Sequence, residues 1–312
     1  MRKLALIAVI GLAAQLVDGA LGMAYGATST SLLLSAGLAP AVVSATVHLA
    51  EIGTTAASGA AHWRFKNVDW RTVSILAVPG AIGGFLGAVV LSSLSAESAE
   101  PVMAAVLVVL GLYVLLRFSL LGGPAVNREG ARPLPRIFLG PLGAFAGFMD
   151  AAGGGGWGPI STPALLSTGR MEPRKVIGSV DTSEFAVAVG ASAGFLVGLG
   201  SERIDFGFAG ALLVGGLIAA PIAAYLVKLL PPRLLGAAVG GLIVLTNART
   251  MARAFDVPPG ITYAVYAAIV VAWIVAFGFA VRALRRTRRA AAAGGRSPPR
   301  RCSRPAGWSR AR

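Results

Sequence analysis

Residues 11–53 and 143–186 are two versions of one sequence, and no other feature restricts the fold of this 312-residue chain as strongly. With a single-residue gap, 16 of 43 aligned pairs are identical. The first copy reads GLAAQLVDGALGMAYGATSTSLLLSAG and the second GAFAGFMDAAGGGGWGPISTPALLSTG. Asp18 aligns with Asp150, Gly22 with Gly154, Gly26 with Gly158, Ser29-Thr30 with Ser161-Thr162, and Gly37 with Gly169. Beyond the gap, Pro40 aligns with Pro173 and Glu51 with Glu184. Asp69-Trp70 then matches Asp205-Phe206, each opening another apolar stretch. Composition alone produces coincident Ala, Gly and Leu, but not paired Asp, Glu and Ser-Thr. The chain is a tandem duplication.

The medium in which it folds follows from polarity. Hydrophobic residues make up 55% and charged residues 13%, with a mean hydropathy of +0.74. A soluble domain carries about 25% charged residues. Apolar stretches of spanning length recur through most of the chain, and the 41 glycines suit close helix packing in lipid. The expected fold is an all-α polytopic membrane protein. Repeat 1 occupies 1–119, a cytoplasmic linker 120–136, repeat 2 137–253 and an extra transmembrane helix 254–281. Each repeat opens with a Gly-broken segment (4–36 and 137–168), followed by spans near 40–61, 70–92 and 100–119, and near 173–198, 206–228 and 233–253. Residues 282–312 read as a disordered Arg-rich cytoplasmic tail that carries eleven arginines and accounts for most of the net charge of +15. Such a tail offers no folded basic face, so nucleic acid is not an expected partner. The single cysteine, Cys302, excludes an intrachain disulfide.

The openers exceed the roughly 20 residues of one span, so each either crosses obliquely or enters and leaves on one side. Cytoplasmic loops collect Lys and Arg, which lets the loops choose. If both openers are re-entrant, 62–71, 117–136, 169–175, 228–233 and the tail share one side with net charges of +2, +3, +2, +2 and +11. The other side receives 92–100 at −2, 201–205 at −1 and 249–257 at +1. The re-entrant arrangement separates charge better. It leaves three crossings per repeat, an odd number, so the repeats are expected to be inverted, with seven crossings in all and a site at the midplane.

Non-helical backbone survives at membrane depth only where protein or a watery cavity satisfies it. The breaks at 18–26 and 150–158 are therefore expected to surround a cavity, with Gly26 and Gly158 allowing close approach. Ser29, Thr30, Ser161 and Thr162 follow the breaks, where helix N-termini present amides and hydroxyls to an anion. Tyr25 and Trp157, at matching positions, either flank substrate or fill the tip. Ionisable residues inside spans mark pathways and proton relays: Asp18, His48, Glu51, Asp150, Asp181 and Glu184. His48/Glu51 and Asp181/Glu184 are spaced i, i+3, each pair on one helical face. Asp18 and Asp150 serve equally as caps of the half-helices. His62, Trp63 and Trp70 read as interfacial residues.

No catalytic residues, phosphate loop, metal triad or cofactor motif is present, and the chain is not expected to be an enzyme. Expected partners are a small anion, the lipid bilayer and a second copy in a homodimer. The duplicated layout, the breaks ending in GATST and GPISTPALL, and the turns GLAP and GRMEP resemble the TauE/SafE family of permeases over about residues 4–253. The resemblance implies secondary transport of sulfite, organosulfonates or related anions, commonly export, in a bacterial cell membrane with the C-terminus cytoplasmic. The acidic residues along the path add an expectation of proton coupling, carried by Glu51 and Glu184 with His48. A cation transporter using the carboxylates as ligands is the alternative reading. A membrane scaffold or sensor recruited through the tail is a third.

Overall fold

The structure is a computed structural model that describes residues 2–21, 23–121, 133–168, 170–171, 173–226 and 231–294. Gly22, Gly169, Cys302, most of the linker and the end of the tail lie outside the described residues. Helices make up the described chain, with no strand among them: α1 (Arg2–Leu21), α2 (Tyr25–Ser35), α3 (Pro40–Arg64), α4 (Trp70–Ser93), α5 (Ala96–Leu116), α6 (Arg136–Gly153), α7 (Trp157–Ser167), α8 (Pro173–Leu199), α9 (Phe206–Leu226), α10 (Pro232–Ala254) and α11 (Pro259–Gly294). A five-residue π-helical turn follows α5.

Local chemistry explains most boundaries. Pro40 and Pro232 sit in the first turns of their helices, where a missing N–H is harmless. Gly37, at φ 89°, ends the α2 region with a left-handed residue that costs glycine nothing. Asp69 caps α4 by accepting from the Thr72 amide at 2.8 Å, and its counterpart Asp205 accepts from the Phe208 amide at 3.0 Å at the start of α9. The aligned acids thus do the same job in both halves. Asp69→Ala is expected to lower stability by about 1 kcal/mol, measurable as a shift of the thermal unfolding midpoint in detergent.

The extended helix interfaces join one repeat to the other. Helix α1 packs along α9, α6 along α4, α4 along α8, α5 against α10 and α3 against α8. The contacts are reciprocal. A Cβ on Gly143 of α6 would lie 2.6 Å from the carbonyl of Leu76, and one on Gly11 of α1 would collide with the carbonyl of Leu212. Gly11 and Gly143 are aligned in the duplication, as are Leu76 and Leu212.

Helices α6 and α4 run in the same direction, since Gly143 meets Leu76 and Phe148 meets Gly87. Helix α8 also parallels α4: Gly178 meets Asn67, Val187 meets Gly84 and Gly198 meets Ser92. Both α6 and α8 therefore start at the end of the bundle where α4 starts. The counterparts α3 and α8 run antiparallel, with His48 against Phe195 and Gly59 against Thr182. So do α5 and α10, with Gly111 against Ile243 and Phe118 against Gly236.

Polarity is distributed inside out. Val78, Ile82, Leu86 and Val90 of α4 face outward, while Ser44, His48, Glu51, Asp150, Ser161, Thr162 and Asn247 are buried. Water would not select that arrangement, but hydrocarbon would. Among the described residues, four helices are long and apolar enough to cross a membrane by length and composition: α4, α5, α8 and α11. Helices α3 and α10, at 25 and 23 residues, are long enough but carry polar side chains on their inner faces. The end of α11 departs furthest from the expected boundaries. Helix α11 continues to Gly294, past the end expected at 281, because Arg282, Arg285, Arg286 and Ala290–Ala293 are good helix formers.

Candidate functional site

The two Gly-rich breaks meet at the centre of the bundle. A Cβ on Gly26 would lie 3.0 Å from the Cα of Gly155, and a Cβ on Gly158 would lie 3.0 Å from the Cα of Met23. Each break thus rests on the first turn of the half-helix that follows the other break. Gly154 and Gly155 adopt φ of 78° and 136° to turn the chain, and Ala24 takes φ 99° in the first copy.

An aspartate spans each break. Asp150, in the last turn of α6, accepts on Oδ1 from the amides of Gly156 (2.7 Å) and Trp157 (2.9 Å), which open α7. Asp18 of α1 accepts on Oδ1 from the amide of Tyr25 at 3.3 Å, at the start of α2. Those three amides, at the very start of the half-helices, are already taken. A carboxylate close to its own helix N-terminus is the nearest anion available.

The second oxygen of Asp150 crosses to the other repeat. Its Oδ2 lies 3.2 Å from His48 Nε2, and the same nitrogen lies 3.9 Å from Glu51 Oε2. On the far side of the ring, Nδ1 is 2.8 Å from the Ser44 carbonyl, which can only accept, so Nδ1 carries a hydrogen. The Ser44 hydroxyl donates instead to the Ala151 carbonyl at 2.7 Å. Nε2 therefore faces two carboxylates, and a proton or another cation must lie between the ring and Asp150 if the two are to attract. Neither oxygen of Glu51 has a hydrogen-bond partner, although the residue is only 1% exposed.

Beside this cluster lies a cavity of about 10 Å³, lined by Gln15, Asp18, Tyr25, Glu51, Thr54, Thr55, Ser58, Asp181 and Glu184. That is close to the free space one water molecule needs. The hydroxyls of Tyr25, Thr28, Thr30, Ser161 and Thr162 are buried without a partner, as is Oδ2 of Asp181. Unmade hydrogen bonds are rare in a packed interior, and most of those among the described residues lie around the two breaks.

The profile described as "Sulfite exporter TauE/SafE" matches residues 7–250. The chain belongs to the TauE/SafE family. It is 53% identical over 279 residues to the "Probable membrane transporter protein YtnM" of Bacillus subtilis (strain 168), covering 89% of this chain and 93% of that one. A second relative from the same organism, "Probable membrane transporter protein YdhB", is 26% identical over 193 residues, or 61% of this chain and 77% of that one. No solved structure matches. Family and relatives make this chain a membrane transporter.

In this TauE/SafE transporter the structure gathers the six ionisable residues around the breaks. Asp18, Glu51, Asp181 and Glu184 share the cavity, while His48 and Asp150 lie against Glu51 just outside it. Tyr25 and Trp157 have parted roles. Tyr25 lines the cavity with a free hydroxyl, whereas Trp157 is fully buried, donates its indole N–H to the Val180 carbonyl at 3.0 Å and does not line it. Ser29 donates to the Tyr25 carbonyl in its own helix, and the methyl of Thr30 faces Gly154. His62 is 4.0 Å from Asp181, and Trp63 and Trp70 are exposed.

Sequence reasoning missed Gln15, Ser44, Thr54, Thr55, Ser58 and Asn247. A signal existed for three of them, Ser44, Thr55 and Ser58. Ser44, His48, Glu51, Thr55, Ser58 and His62 recur every three or four residues and form one polar stripe along α3. Asn247, which donates to the Ser31 hydroxyl at 2.8 Å, had no comparable signal.

Proposed function

We propose that this transporter moves a small anion, such as sulfite or an organosulfonate, by a secondary, proton-coupled mechanism in the direction of export. The observation that carries the reading is the set of unpartnered buried groups at the meeting of the breaks: Glu51, Asp181, Tyr25, Thr28, Thr30, Ser161 and Thr162. Buried polar groups without partners cost about 1–3 kcal/mol each. A pathway is where such a cost is retained, because substrate or protons satisfy the groups in passing. The hydroxyls of Thr28, Thr30, Ser161 and Thr162 would donate to the anion. An anion can approach these carboxylates only when they are neutralised, and protonation of Glu51 and Glu184, relayed through His48, supplies that.

In this reading the halves are inverted in the membrane and the openers are re-entrant, with the N-terminus outside and the C-terminus cytoplasmic. The antiparallel pairs α3/α8 and α5/α10, the common starting end of α6 and α8, and the basic loops all support it. The test is sulfite flux in proteoliposomes. Glu51→Gln and Glu184→Gln are each expected to reduce pH-gradient-driven flux at least about tenfold, as loss of a proton-transferring group does. Flux that ignores both the gradient and Glu184→Gln would defeat the coupling.

A further inference from the structure

We infer that His48, Glu51 and Asp150 form a binding site for one divalent transition-metal cation. Sequence spacing displayed no metal triad, because Asp150 arrives from the second repeat, 102 residues beyond His48. Folding brings one ligand atom from each residue to within 4.8 Å of the others, all in buried positions. Metal–ligand bonds of about 2.0–2.2 Å at tetrahedral angles place ligand atoms about 3.4 Å apart. The observed separations of 3.2 Å and 3.9 Å from His48 Nε2 bracket that distance.

Each ligand is also prepared from behind. The Ser44 carbonyl holds the hydrogen of His48 on Nδ1, which turns the Nε2 lone pair toward the carboxylates. The Gly156 and Trp157 amides fix Asp150 through Oδ1 and leave Oδ2 to coordinate. Glu51 has both oxygens unpartnered. One proton between His48 and Asp150 joins that pair but leaves Glu51 as it was. A cation engages all three. Two carboxylates and a neutral imidazole sum to −2, and among the described residues their only ion-pair contacts are with one another. One nitrogen with two carboxylate oxygens suits Mn²⁺, Co²⁺ or Zn²⁺ better than Mg²⁺ or Ca²⁺, which prefer all-oxygen shells. The site shares His48 and Glu51 with the proposed proton route, so a bound ion and protons compete for these two side chains. A bound divalent ion would leave a coordination position open and turn an acidic pocket into one that accepts an anion.

The experiment uses the full chain in nanodiscs, stripped with chelator and titrated with Mn²⁺ or Co²⁺. Free Mn²⁺ is followed by its paramagnetic resonance signal and Co²⁺ by its visible absorption. The expected result is one saturable ion per chain, with affinity reduced at least tenfold by His48→Ala and by the isosteric Glu51→Gln. Glu202→Gln, on the surface, leaves it unchanged. Retained thermal unfolding of Glu51→Gln shows that the loss is local. No saturable binding, or binding indifferent to both substitutions, overturns the inference. Saturable binding without sulfite flux would overturn the transport reading alone, and sulfite flux in a chain that binds no ion would overturn the metal site alone.

Discussion

Asp150→Ala is expected to abolish transport and to lower the stability of the purified protein by about 3–5 kcal/mol. The two readouts are flux in proteoliposomes and denaturant unfolding in detergent micelles. One carboxylate performs two tasks here. Its Oδ1 accepts both amides that open α7, and Oδ2 faces His48 of the other repeat. Hydrogen bonds to a charged group are each worth about 1.5–3 kcal/mol. Alanine leaves two buried donors without an acceptor and an imidazole without its neighbour. Asp150→Asn separates the tasks, since the amide oxygen still accepts at α7 while the negative charge is gone. That variant should keep most of the stability and lose transport. Asp18→Ala provides the internal comparison, because its carboxylate makes one longer bond to Tyr25. It should cost only about 1 kcal/mol, and equal losses at Asp18 and Asp150 would contradict this account.

The second large effect is expected at Gly155. Its φ of 136° lies where side-chain-bearing residues are strained, and a Cβ there would collide with the backbone nitrogen of Ala27. Because the obstacle is backbone, no rotamer change relieves it. Gly155→Ala should cost about 3 kcal/mol or more, combining a φ penalty with overpacking, and should silence flux by prising the two breaks apart. Gly37→Ala is the control. Its φ of 89° is also left-handed, but nothing lies within 4 Å of the added Cβ. The cost there should stay near about 1–2 kcal/mol, and comparable destabilisation of the two variants would argue against a packed central contact.

Apolar run length and duplication made the helices legible, because in lipid an apolar run has few alternatives to a helix. Pro40, Asp69 and Asp205 even marked where helices begin. The site was legible as a set of residues but not as contacts. His48 and Glu51 share a face by spacing alone, whereas their contact with Asp150 depends on how two repeats fold over each other. The capping by Asp18 and Asp150 was one of two open readings, since an acid before a glycine break suits either role. Divergence between the copies hid the rest. His48 aligns with Asp181, and Tyr25 with Trp157, so matched positions do unmatched work.

The cross-repeat pairing has a consequence for synthesis. Helix α1 finds its main partner in α9 and α4 finds its own in α6 and α8, so neither half owns an interior. At about 5–20 residues per second, α1 waits on the order of 10–40 s for α9 to emerge. During that interval Gly11 and its neighbours face lipid, the translocation machinery or a chaperone. A ribosome stalled at the linker would hold a first half with nothing to close against, and that half is where quality-control proteases would find this chain.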